Sequence, residues 1–105
     1  MPIMNQDRVF SMLGIATKAG KVVSGEFSTE KAVKSNHAQV VIVAEDASDN
    51  TKKMFTNMCT FYHVPMQIFG TKETLGKAIG KQTRASLAVV DEGLAGAVLK
   101  HFVKE

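Results

Sequence analysis

A chain of 105 residues has room for one core, and 45% hydrophobic with 22% charged residues is an ordinary globular composition. No apolar run is long enough to cross a bilayer, residues 1–7 lack the layout of a secretory leader, and a lone Cys59 excludes an internal disulfide or a cysteine metal cluster. A formal charge of +3, with pI ≈ 9.1, permits an anionic partner without demanding one, and a reducing cytoplasm is the expected location.

Val9, Met12, Leu13 and Ala16 recur at helical spacing, so a first helix is predicted over roughly residues 5 to 18, stopped by Gly20. Residues 21–24 read as a short strand. A second helix follows Gly25 and runs to about Asn36, with Thr29, Ala32 and Val33 inward. Residues 39–44 form a continuous apolar run, the pattern of a strand buried on both faces. The polar stretch 45–49 breaks it and offers helix caps. Met54, Phe55, Met58, Cys59, Phe61 and Tyr62 line a third helix, which ends before Pro65. Residues 66–69 read as a strand. Thr71 then caps a short helix that carries Leu75, Ala78 and Ile79 and ends at Gly80. After a polar loop, 81–85, residues 87–90 form another buried strand. Asp91 caps a last helix with Leu94, Val98 and Phe102 inward. A helix followed by four strand–helix units argues an α/β fold, a single domain over 1–105 with helices on both faces of a small sheet.

Most of the chemistry-bearing residues read as structural. His37, His63 and His101 lack metal-ligand spacing, and Cys59 lies among apolar neighbours that favour an inert thiol. Glu45-Asp46 and Asp91-Glu92 end buried strands, where acids serve catalysis or, as favoured here, cap helices. Gly70-Thr71-Lys72 and Gly76-Lys77 lack the Walker spacing of a phosphate loop. The methionines read as core filling.

Two stretches point further. Around Gly25, Ser24 or Glu26 offers a helix cap, and the first helical amides form a ready anion site. Phe27, Lys31 and Lys34 fall on one helix face. Taken alone, the stretch favours Phe27 packed inward and the lysines solvated. Yet the spacing sets Phe27 in line with Lys31 and Lys34, apart from Ala32 and Val33, so partial exposure is expected. The second stretch holds Lys77, Lys81 and Arg84 with no acid between Leu75 and Leu87. Its loop ends one end of the sheet, as a solubilising loop or as part of a basic RNA surface. Spacing alone does not say whether it adjoins Gly25.

Five segments in order resemble the ribosomal kink-turn RNA-binding family. They are Gly25 through Lys31-Ala32, Val41-Ile42-Val43-Ala44-Glu45-Asp46, Val64-Pro65, Leu75-Gly76-Lys77-Ala78-Ile79-Gly80, and Ala85-Ser86-Leu87-Ala88-Val89-Val90-Asp91-Glu92-Gly93. Lys21-Val22-Val23-Ser24-Gly25-Glu26 and residues 44–51 are most similar to the bacterial YlxQ-type subgroup. The resemblance implies a three-layer α/β/α sandwich with a four-stranded mixed sheet. It also implies that the Gly25 segment and loop 81–85 sit side by side and grip RNA. The family's first segment reads Gly-x-Asn-Glu-x-x-Lys, its Asn and Glu contacting sheared G·A pairs. Here Gly25 and Lys31 match, while Phe27 and Ser28 replace the Asn and Glu. Thr83, Arg84 and Ala85 occupy a loop that in the family is mostly apolar and packs on a flipped-out nucleotide. Glu45 matches a position near that nucleotide.

The resulting expectation is a monomeric, non-enzymatic protein that binds kinked, structured RNA, ribosomal or ribosome-associated, with no cofactor, metal, DNA or membrane. Phosphates would meet Lys31, Lys34, Lys77, Arg84 and the amides after Gly25, and Lys81 is a further RNA-binding residue. Bases would meet Glu26, Phe27, Ser28, Thr83 and Ala85, with Glu45 nearby. The rivals are a protein–protein adaptor on the same fold and a small enzyme using Glu45, Asp46 or Asp91.

Overall fold

Val40–Val43 is β2, and all four of its residues are buried. Four consecutive Val and Ile side chains need apolar cover on both faces, so this strand lies inside a sheet with helices above and below. The structure, a computed structural model, describes residues 6–102; the start expected at residue 5 for the first helix lies outside them. In chain order the elements are α1 (Gln6–Lys18), β1 (Val22–Ser24), α2 (Glu26–Lys34), β2, α3 (Asp49–Tyr62), β3 (Met66–Ile68), α4 (Lys72–Ala78), β4 (Ser86–Val89) and α5 (Glu92–Leu99), with a 3-10 turn over Lys100–Phe102.

The strand order is β1-β4-β2-β3. β4 runs antiparallel to both β1 and β2, and β3 pairs parallel with β2, so the sheet is mixed. β2 and β4, the two buried runs, take its centre, and the half-buried β1 and β3 take its edges. α2 packs on β1, β4 and α3, while α1 packs on α4 and α5. These two helical layers sandwich the sheet. Val9 and Leu13 from α1, Val33 from α2, Phe55 from α3, Leu75 from α4 and Val98 from α5 are all fully buried between the layers.

Helix starts follow local chemistry. Ser48, Thr71 and Asp91 cap α3, α4 and α5, each side-chain oxygen accepting from the third helical residue's amide. Asp46 Oδ1 also accepts from the Lys72 amide at 2.8 Å and so serves α4 as well. α2 differs. Its N-cap is Gly25, at φ 91°, and no side chain caps it. Neither Ser24 nor Glu26 does the capping; the Ser24 hydroxyl turns to Arg84. α2 also stops at Lys34, two residues early, because Asn36 takes φ 63° and turns the chain towards β2.

Candidate nucleic-acid interface

The register brings one end of the sheet together. Ser24 at the end of β1 lies opposite Leu87, and Val43 at the end of β2 lies opposite Ser86. The flanking loops are tied there by main-chain bonds. The Gly25 amide donates to Ser86 O at 2.9 Å and Ala44 to Ala85 O at 2.9 Å. Glu45 donates to Gly70 O at 2.7 Å, and Arg84 to Lys72 O at 3.0 Å. Gly25, Glu45, Gly70 and loop 81–85 thus share one rim, although they are far apart in the chain.

Arg84 locks this rim. Its Nε donates to Ser24 Oγ at 3.0 Å, and its Nη1 donates to Thr83 O at 2.9 Å. The guanidinium is thereby held beside Gly25, with further N–H groups left over from its five. Lys81 and Thr83 are exposed, and Ala85 is half-buried.

α2 leaves the same rim. Thr29 is the first of its amides with a helical partner, Gly25 O at 3.0 Å. The amides of Glu26, Phe27 and Ser28 precede it and form the positive end of the helix dipole. Glu26, exposed in this first turn, favours the helix but opposes an approaching phosphate. Thr29 is fully buried and accepts from Ser86 Oγ at 3.4 Å, which ties the helix to β4 beneath the rim. That inward face turns Phe27 outward, and its ring is 78% exposed. The inward packing that the stretch alone favoured is therefore overturned, and the spacing argument holds. A phenyl group left in water forgoes roughly 2 kcal/mol of burial; Phe61 on α3 is exposed to a similar degree, and Phe27 differs from it in standing beside the rim.

Lys31 follows Phe27 by one turn and is exposed. Lys34 lies at the far end of α2, about 13 Å from the cap by helical rise. It donates to Glu30 Oε2 at 2.7 Å, and this hydrogen bond, with the glutamate's charge, raises the lysine's pKa. Lys77 is exposed on α4, next to Gly76, which touches the loop. Two grooves flank Phe27 and Lys31. One, of about 390 Å³, is also lined by Glu30, Lys34 and Ser35. The other, of about 350 Å³, runs beside β1 over Val23, Ala32, Val90 and His37.

The model of the ribosomal protein L7Ae/L30e/S12e/Gadd45 family matches residues 7–98. The chain belongs to that family. It is 41% identical over 90 residues to an RNA-binding protein YlxQ of Bacillus subtilis (strain 168), covering 86% of this chain and 90% of the relative. A second YlxQ, from Enterococcus faecium, is 34% identical over 91 residues, 87% of each chain. Among solved structures, a Bacillus halodurans protein of unknown function superposes with a TM-score of 0.87 at 33% identity, over 90% of this chain and 95% of that one. The Giardia lamblia 15.5kD RNA binding protein shares the fold, with a TM-score of 0.79 at 20% identity, over 96% of this chain and 89% of that one.

Three contributors to the rim in this family member escaped the sequence reading. In sequence Ser24 reads only as a cap, but its hydroxyl holds Arg84. Lys72 anchors the loop through its carbonyl, which no side-chain pattern shows. Gly76 did carry a signal, as a glycine inside a helical pattern. A Cβ there would lie 1.4 Å from Gln82 O, so the loop rests directly on the helix backbone. Three of the other candidates take the structural roles favoured for them. Asp46 and Asp91 cap helices, and His63 ends α3 at φ 60°. Burial pushes the Cys59 thiol up to about 11, away from reactivity. Among the described residues no group of three His, Cys, Asp or Glu could hold a metal ion, and no helix is long and apolar enough to cross a membrane.

Proposed function

We propose that this family member binds structured RNA at the rim formed by Gly25, Phe27 and loop 81–85, and that it recognises a kink in that RNA, ribosomal RNA being the first candidate. The RNA-binding names of its two YlxQ relatives support the first part. The observation that carries the site is Phe27, a ring 78% exposed in the first turn of a helix with no side-chain cap. An exposed aromatic beside open amides and a fixed arginine suits an unstacked base with its phosphate. The reading is of a single-domain binding protein, not an enzyme, in keeping with its family.

Each residue has a physical role in this reading. The amides of Glu26, Phe27 and Ser28 and the guanidinium of Arg84 receive phosphate oxygens. Lys31, Lys77 and Lys81 add longer-range attraction, and Lys34 adds less because Glu30 offsets its charge. Thr83, Ala85 and Glu45 border a displaced nucleotide. Phe27 stacks where the family's Asn would hydrogen-bond, and the Ser28 hydroxyl reaches less far than the family's Glu. Base discrimination at G·A pairs is therefore weaker than in a member with Asn and Glu.

Titrating the protein with a kinked RNA and a straight duplex of the same composition tests this. The kinked RNA binds more tightly. Phe27→Asn with Ser28→Glu sharpens discrimination between G·A and substituted pairs and leaves the urea midpoint within the usual range of a surface change. Equal affinity for kinked and straight RNA would count against kink recognition, and no RNA binding at all would favour a protein adaptor.

A further inference from the structure

The two grooves beside Phe27 extend well past the rim. Val90 donates to Lys21 O and Gln39 donates to Val89 O, so Val90 and His37 belong to the opposite end of the sheet from Gly25. The groove beside β1 joins Phe27 to this far end. Its floor is apolar, from Val23, Ala32 and Val90, and an aromatic ring stands at each end. The His37 ring is exposed, and its Nδ1 lies 2.8 Å from Ser35 Oγ. Lys31 borders both grooves, so its ammonium serves either one. The acids on this helix, Glu26 and Glu30, fall in a row with Lys34, and Glu30 is already paired to it. The Phe27–Lys31–Ser35 row is free of acids.

We propose that the groove beside β1, along α2, is a second track for single-stranded RNA, which takes unstacked nucleotides leaving the kink between Phe27 and His37. This rests on the rim being an RNA site, with which the track is continuous through Phe27. The occupant is a nucleic acid and not a peptide because the groove beside β1 is lined by Phe27, Lys31 and His37 with no acid, whereas Glu30 lines the other groove. The β1 edge offers three residues to a partner strand, too few for a stable ladder. Flat apolar floors with aromatic walls accept the face of any base, so the track is tolerant of sequence.

The experiment compares kinked RNA with blunt ends against the same RNA with a four-nucleotide single-stranded tail. A straight duplex with and without the tail is measured in parallel. Stacking one base on an aromatic ring raises affinity roughly five- to hundred-fold, so the tail should tighten binding at least five-fold. The gain should survive changes of tail sequence and fall below two-fold in His37→Glu, a change at an exposed side chain. Lys31→Ala should reduce it in part. A tail that adds less than two-fold to the wild-type protein overturns the track while leaving kink recognition standing. Absence of kink preference sinks the kink reading instead, and the tailed straight duplex still scores the track. A photo-crosslinking residue at Ser35 supplies the second readout in cells. Adducts to RNA support the track, and adducts to protein alone overturn it.

Discussion

Arg84 is already restrained in the free protein. Two hydrogen bonds, to Ser24 Oγ and Thr83 O, fix its fork beside Gly25. An arginine ordered in the free protein loses little side-chain freedom on binding. Arg84→Ala should therefore lower RNA affinity by about 1 to 2 kcal/mol, as a charge-assisted contact is lost that water partly replaces. Ser24→Ala keeps the charge and frees it, so a smaller loss of about 0.5 to 1 kcal/mol is expected. Fluorescence titration of both variants checks the order, and an equal or larger loss for Ser24→Ala would contradict it. The two residues differ in how far the sequence revealed them. Arg84 was visible as a charge in an acid-free stretch. Ser24 was not, because its hydroxyl serves a residue 60 positions away, and no periodicity reports that. Phe27 lay between these cases. Its own stretch suggested burial, and only its register against Thr29, Ala32 and Val33 revealed exposure.

At the scale of elements, α4 doubles as the seat of the loop. Its capping box at Thr71 and Thr74 fixes where the helix begins. The Asp46 carboxylate and the Lys72 carbonyl then link that first turn to β2 and to Arg84. One turn on, Gly76 lets Gln82 O approach the helix axis. Gly76→Ala puts a methyl group where backbone already stands, and backbone yields less than a side chain. The substitution should cost about 1 to 3 kcal/mol in urea unfolding through overpacking. It should also weaken RNA binding by displacing loop 81–85. A variant with unaltered stability would show that the loop is not seated on this glycine. The helices and the buried strands were legible because apolar periodicity and caps such as Thr71 and Asp91 are local signals. The end of α2 was not, since Asn36 in the left-handed region looks in sequence like any polar residue.

For the whole molecule, a net charge of +3 is modest, and its placement matters more than its size. Lys31 stands on α2 and Lys77 on α4, on opposite sides of the sheet, with the rim between them. Each alanine substitution should weaken binding to all RNA sequences alike. Each should also shallow the slope of log K against log salt by about 0.7 to 0.9. Lys53, exposed on α3, is the comparison and should change neither. Equal effects from all three lysines would mean that charge acts diffusely and not at the rim.

The sheet order has a consequence for how the protein is made. β1 and α2 leave the ribosome early, while β4, their neighbour, follows some sixty residues later. Until β4 arrives, the amide of Gly25 lacks Ser86 O and Ser24 lacks its arginine. Closing so long a loop is slow relative to forming any helix, so the edge strand joins late. The nascent chain exposes the Phe27 helix first as an isolated nine-residue segment, too short to persist in water. If the rim is the RNA site, RNA would meet a competent surface only on a molecule whose sheet has closed, and capture of RNA would report completion of the fold.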